Sequence, residues 1–227
     1  MKINLLLIVL FIALKGFAQS YSTSQIFAHN DYATARPFHT AYQNQVGYIE
    51  ADIFLTAGEL RVAHTEAELM NAALLEDLYL KPIQKLLIEN NGYAYKGSDQ
   101  VLTLMIDLKT GANTTLPVLI KLIESYPQLI QSKTFRVAIS GNMPAVSEWS
   151  SYPSWLYFDG RPGINYTPDQ LQRIVMISTS LPSLTNWNGK GVLVKDHNEY
   201  CEPSARNEKT YAVLGFARFC ECVDEIN

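Results

Sequence analysis

Short apolar, β-branched runs alternate along the chain with longer segments of helical period. The runs fall at 26–29, 46–55, 101–108, 135–140, 155–159 and 174–179, and the stretches 36–44, 66–88, 116–125 and 168–173 suit helices or turns. A further short strand is expected at 60–63, after a turn over 56–59. Strand-then-helix alternation implies parallel strands, so the fold class expected is α/β, a TIM-type (β/α) barrel. A closed barrel of this type needs eight parallel strands. The pattern supplies six, which predicts a barrel incomplete at its C-terminal end, with strands 7 and 8 missing or replaced.

Polar residues gather where each run ends: His29-Asn30-Asp31, Asp52, Asp107 with Lys109, Ser140-Gly141-Asn142, Asp159-Gly160-Arg161 and Ser178. In a barrel of parallel strands these ends share one face, and active sites of the fold are built there. The pattern predicts a barrel with a polar mouth.

Within that mouth the chemistry starts at Glu50 and Asp52, two apart in an otherwise apolar strand. Period-2 alternation points both carboxylates to the same side. Two anions held together in a core cost several kcal/mol, on the order of 3–5, unless they are neutralised. Arg61 and Lys109 could do this as an ordinary ion network. A third carboxylate, Asp107, shares a strand face with Lys109, and that shifts the balance toward a bound ion. Three carboxylates without a His/Cys ligand cluster suit a hard cation, Mg²⁺ or Ca²⁺, with Glu50, Asp52 and Asp107 as ligands. Such an ion and Lys109 would together hold a substrate phosphate. His29 ends the first strand and His64 follows the short strand at 60–63. Phosphodiester cleavage needs one group to take a proton and one to give it, and two histidines supply both. His39 and His197 are assigned no role.

Together the segments AHNDY, GYIEADIFLTAGELRVAH and MIDLKTGA resemble the glycerophosphodiester phosphodiesterase superfamily. The resemblance implies His29 and His64 as acid and base, Glu50, Asp52 and Asp107 as metal ligands, and Lys109 as phosphate contact. Asn30 stands where an Arg usually follows the first His, and the third acid is Asp107 in place of the usual Glu; by position Asn30 joins the substrate-binding set. Asp-Leu-Lys-Thr-Gly is closer to the sphingomyelinase D and phospholipase D branch. The likeness extends to about Gly191 and implies that Asn142, Asp159, Arg161 and Trp187 line the pocket. An ion pair between Asp159 and Arg161, and Trp187 as a packed aromatic, are the competing readings. The substrate class it implies is a glycerol- or lipid-derived phosphodiester, with Tyr32, Trp155, Tyr157 and Trp187 as candidates for an apolar wall or, equally, for core packing. A phospho-ligand-binding barrel without catalysis is the alternative; a pair of proton-exchanging histidines argues against it.

The two ends modify this picture. Lys2, an apolar run from Leu5 to Leu14, and small residues Gly16 and Ala18 read as a secretory leader over 1–18, which places the protein in the periplasm or outside the cell. The run is too short for a membrane span of about 20 apolar residues. The barrel domain is expected over 19–199. A net charge of −4 and the lack of a basic stripe leave nucleic acid an unsuitable partner; a small phosphodiester or a phospholipid headgroup is the partner expected. All three Cys fall in 200–227, an odd count that makes no disulfide framework. That tail is polar and nearly without strand period. One permitted codon choice for it, moved forward one base, encodes an amphipathic helix and a strand. A frameshift near 198–200 is therefore expected, leaving an open remnant of low stability and activity, because unpaired edges replace barrel closure. Sequencing the gene checks this: a downstream frame encoding that helix and strand is the expected result, and a frame that closes without them removes the idea.

Overall fold

A computed structural model describes residues 22–179. The leader, the segment carrying Trp187, the tail and any strand beyond Ser178 lie outside the described residues.

Six parallel strands form one sheet: β1 (Phe27–Ala28), β2 (Tyr48–Thr56), β4 (Leu102–Leu108), β5 (Phe135–Gly141), β6 (Leu156–Gly160) and β7 (Ile174–Ile177), hydrogen-bonded in that order. β3 (Glu59–Val62) pairs antiparallel with β2. All six expected parallel strands are present with ends shifted by one or two residues. The helices are α1 (His39–Gln43), α2 (Lys81–Glu89), α3 (Ala112–Glu124), α4 (Pro127–Gln131) and α5 (Pro168–Leu171). No helix among the described residues is long and apolar enough to cross a membrane.

Side-chain alternation sorts the buried residues onto two faces. Ile49, Ala51 and Ile53 of β2, Leu102, Leu104, Ile106 and Leu108 of β4, and Val137 and Ile139 of β5 belong to one large core. Leu116, Leu119 and Ile123 of α3 and Ile83 and Leu87 of α2 close that core at three- and four-residue spacing. The other face carries a smaller cluster of Met105, Ala138, Val175 and Met176, packed with Phe27, Tyr48 and Tyr157. Every parallel strand contributes to it. Tyr48 Oη on β2 reaches the Val175 carbonyl on β7 at 3.4 Å, although three strands lie between them in the sheet. The sheet is therefore curled into a half-barrel, with its interior on the Met105 side.

Three local departures from the sequence pattern have physical causes. The single helix expected over 66–88 is split into a 3₁₀ turn, Glu66–Asn71, and a helical stretch from Glu76 into α2. Between them the Ala73 carbonyl accepts the Val62 N–H at 2.9 Å and Leu74 bridges Arg61, so the open edge of β3 captures the chain in an extended form. Arg61 does not neutralise Glu50 or Asp52; it pairs with Glu59 at 2.6 Å and donates to the Ala72 carbonyl at 2.7 Å. Of the two readings open for Trp155 and Tyr157, packing is the one observed. Trp155 precedes β6, at the end remote from the polar residues, and Tyr157 packs against the small inner cluster.

On the outer face of β6 the buried ring of Trp149 lies 4.4 Å from that of Phe158, nearly parallel at 5°, with the Arg173 guanidinium 5.4 Å from the Phe158 ring. Arg173 also donates to the carbonyls of Trp149, Pro153 and Leu156, tying the 3₁₀ turn to the strand. Trp149→Ala empties this stack and is expected to cost about 3–5 kcal/mol of stability, the usual scale for a buried large aromatic. Urea denaturation of the wild type and the variant measures it; a loss under about 1 kcal/mol, within the range of surface substitutions, contradicts the role.

Candidate functional site

Alternation in β2 and β4 turns Glu50, Asp52 and Asp107 into the half-barrel, and the register sets Asp52 opposite Asp107 on adjacent strands. The three residues are 1%, 1% and 6% exposed. They offer one oxygen each to a group whose members all lie within 4.8 Å of one another. Lys109 follows β4 and sets its ammonium 2.9 Å from Asp52 Oδ2 and 3.1 Å from Asp107 Oδ1.

The turn after β1 brings a second set of groups to the same place. Asn30 adopts a left-handed conformation, φ 48, which short polar side chains tolerate. The turn directs its backbone N–H onto Glu50 Oε2 at 2.6 Å and leaves His29 Nε2 at 3.9 Å from the same oxygen. Asp31 points the other way: its buried carboxylate accepts the Phe38 N–H at 2.5 Å and the Tyr79 hydroxyl at 2.9 Å. Tyr32 returns to the site, donating to Asp52 Oδ2 at 2.8 Å beside Asn30 Oδ1 at 3.2 Å.

His64 arrives by the β2–β3 hairpin. Ala57 and Gly58 both have positive φ, 50 and 80, the two-residue turn whose twist matches antiparallel strands, and glycine adopts its second position without strain. The returning chain donates Ala63 N–H to the Asp52 carbonyl at 3.2 Å. His64 Nδ1 then lies 2.8 Å from Asp52 Oδ2, and the Glu68 carboxylate accepts the His64 N–H at 2.8 Å. An ionised Asp52 can only accept, so the geometry assigns the proton to His64 Nδ1 and leaves Nε2 free to exchange protons on a half-exposed ring.

The carboxylates differ in charge behaviour. Burial, reinforced by the neighbouring Asp52 charge, pushes Glu50 up to about 8. Burial acts on Asp52 too, but hydrogen bonds from Lys109, His64 and Tyr32 outweigh it and hold Asp52 below the usual carboxylate range. Lys109 is raised: burial opposes its charge, and the contacts with Asp52 and Asp107 more than offset this. Glu50 Oε1 and Asp52 Oδ1 are buried with no hydrogen-bond partner among the described residues. Two orphaned carboxylate oxygens beside a third acid are what a bound cation would satisfy, and an all-oxygen set fits a hard divalent ion.

The more distant residues are placed unevenly. Asn142 donates its side-chain amide to the Lys109 carbonyl at 3.0 Å, supporting the backbone that carries the ammonium. Asp159, at the end of β6, is paired with Arg161, and its Oδ2 accepts the Ser178 hydroxyl at 2.5 Å. Trp187 lies outside the described residues. Two contributors escape the sequence reading. Tyr32, read as apolar wall or core, is a polar bridge, and its place three residues after His29 in AHNDY was the available signal. Ser140 donates to Asp107 Oδ2 at 2.9 Å and stood in the sequence as one more polar strand end.

A model of the AIM6-like phosphodiesterase domain matches residues 15–135, more than half of the chain. The chain belongs to that family. The matched stretch contains His29, Asn30, Glu50, Asp52, His64, Asp107 and Lys109, and ends before Asn142, Asp159 and Arg161. In Arthroderma benhamiae, a protein named Altered inheritance of mitochondria protein 6 homolog is 30% identical over 117 residues, which is 44% of this chain and 37% of that protein. The match thus spans little more than a third of the relative's length. No solved structure matches the chain.

For this member of the family the Glu50 shift has a direct consequence for stability. Between the ordinary value of 4.5 and about 8 the folded chain keeps a proton on Glu50 that the unfolded chain releases. Glu50 therefore contributes stability that is full below pH 4.5 and lost as pH rises toward 8. In chelator, Glu50→Gln, which stays neutral throughout, is expected to gain stability relative to wild type between pH 5 and pH 8. Urea unfolding at both pH values measures this, and a difference independent of pH excludes a raised Glu50.

Proposed function

We propose that this domain is a metal-assisted phosphodiesterase acting on glycerol- or lipid-derived phosphodiesters. The observation that carries the reading is the convergence of three buried carboxylates and Lys109 between two histidines, in a chain of a phosphodiesterase domain family. Glu50, Asp52 and Asp107 would hold Mg²⁺ or Ca²⁺. When bound, that ion would polarise the phosphoryl oxygens and offset the charge developing on them.

The chain's own residues supply the rest. Lys109 presents an ammonium to the anionic diester, held in place by Asp52 and Asp107 and by the Asn142 brace on its carbonyl. Asp52 fixes the tautomer and orientation of His64, whose Nε2 exchanges a proton with the nucleophile or the leaving oxygen. His29, on the Glu50 side, serves the opposite proton transfer. A water or a neighbouring substrate hydroxyl is the nucleophile. The finer relationship favoured by Asp-Leu-Lys-Thr-Gly is with the sphingomyelinase D and phospholipase D branch of the glycerophosphodiester phosphodiesterase superfamily. In this reading the half-barrel belongs to a TIM-type barrel, Asn30, Asn142, Asp159, Arg161 and Trp187 contact substrate, and the protein works in the periplasm or outside the cell.

The test is turnover by the purified protein with the expected downstream frame restored, on a panel of lysophospholipids, sphingomyelin and glycerophosphodiesters with Mg²⁺ or Ca²⁺. Chelator should abolish turnover, and His29→Ala and His64→Ala should each lower kcat by roughly 10²-fold or more, the scale for a lost general acid or base. Undiminished activity in any of these arms refutes the mechanism. Phosphodiester binding without turnover across the panel would replace it with a ligand-binding role.

A further inference from the structure

We propose that Ser140 is a positioning residue for the cation site, holding Asp107 through Oδ2 and so fixing the plane of its carboxylate beside Glu50 and Asp52. The inference rests on the cation reading above and concerns a residue that is neither ligand nor proton carrier in it.

Ser140 is 1% exposed on the inner face of β5, directly opposite Asp107 in the parallel register. Its hydroxyl donates to Asp107 Oδ2 at 2.9 Å, while Asp107 Oδ1 lies 3.1 Å from the Lys109 ammonium. A carboxylate on a short side chain has two equivalent oxygens and a broad torsion about its last bond. A donor on one oxygen breaks that equivalence and fixes the plane of the group.

The next two residues continue the same brace. Gly141 has φ +71, and a Cβ there would lie 2.5 Å from Asp107 Oδ1 and 2.6 Å from the Leu108 carbonyl oxygen, so only a residue without a side chain lets the strand end lie this close to the carboxylate. Asn142 then returns its backbone N–H to the Leu108 carbonyl at 2.9 Å and its side-chain amide to the Lys109 carbonyl at 3.0 Å. Ser140, Gly141 and Asn142 thus wrap the end of β4 and act in turn on Asp107, Leu108 and Lys109. The other two acids are also held by donors, on one oxygen each. Glu50 Oε2 is committed to the Asn30 N–H and Asp52 Oδ2 to Tyr32, His64 and Lys109, which leaves Glu50 Oε1 and Asp52 Oδ1 for an ion. For Asp107 the corresponding donors are the Ser140 hydroxyl on Oδ2 and the Lys109 ammonium on Oδ1. Groups of this kind, hydrogen-bonded to a metal ligand, typically change affinity by roughly 10–100-fold when lost.

The experiment is Mg²⁺ titration of the full chain by calorimetry, for wild type, Ser140→Ala and Ser140→Cys, with thermal unfolding of each in chelator. Cysteine fills nearly the same space as serine but is a poor donor, so it separates positioning from packing. Positioning predicts that both variants raise the Mg²⁺ Kd about 10-fold or more. A packing role predicts that the cysteine variant keeps wild-type affinity, and that result overturns the proposal, as does wild-type affinity in the alanine variant. If the alanine variant does not fold, the cysteine variant alone decides between these outcomes. A wild-type chain that binds no divalent ion sinks the cation reading itself and the role of Ser140 with it, whereas binding that is indifferent to Ser140 removes only the latter.

Discussion

The architecture depends on the close approach of three buried carboxylates with a single ammonium to offset them. Asp52 and Asp107 face each other across adjacent strands and Glu50 lies one inward position further down β2. Such a group is unfavourable in a medium of low dielectric, and removing water from it costs more than a typical salt bridge returns. The observed answers are local: Lys109 shared between two acids, hydrogen bonds concentrated on Asp52, and a proton retained on Glu50. Loop geometry around the mouth follows from the same need. The left-handed Asn30 and the Ala57–Gly58 turn place donors against these oxygens, and the positive φ of Gly141 lets Asn142 reach the Leu108 and Lys109 carbonyls beside them.

Those donors come from rigid surroundings. Asp31 fastens the AHNDY turn to Phe38 and Tyr79 in the interior, so the turn is held from behind while His29, Asn30 and Tyr32 act in front. β3 returns along β2 and is itself stapled to the segment carrying Ala73 and Leu74, which keeps His64 against Asp52. On the sheet's outer face the large aliphatic core with α2 and α3 fixes the strand register on which the carboxylate geometry depends. A one-residue slip of β4 would turn Asp107 into that core.

Much of this was legible in the sequence because it follows period-2 alternation. Glu50 and Asp52 share a face by spacing alone, Asp107 and Lys109 likewise, and the six parallel strands were marked by β-branched runs between polar ends. The structure brings His29, Glu50, Asp52, His64, Asp107 and Lys109 into one cluster. What the sequence did not reveal depends on contacts between distant segments. Nothing local says that Arg61 also reaches the Ala72 carbonyl, that Tyr32 bends back to Asp52, or that the helical period over 66–88 yields at 72–75 to the edge of β3. Trp155 shows the limit of reading aromatics by composition: its place before β6 sets it at the end of the strand away from the chemistry.

Charge balance connects this arrangement to what can enter it. With all three acids ionised and Lys109 protonated, the cluster carries a formal excess of negative charge, which would repel a phosphodiester. Keeping Glu50 neutral removes part of that excess in the cation-free state. A divalent ion would displace this proton, bring the cluster close to neutrality, and leave the Lys109 ammonium as a favourable contact for an incoming anion. Asp159 does not add to the repulsion in the same way, because Arg161 is paired with it at the end of β6. The Asp159–Arg161 pair offsets that carboxylate's charge on the β6 side of the mouth. Under the proposed function, an anionic substrate would then meet the Lys109 ammonium beside carboxylates whose spacing is set by strand register.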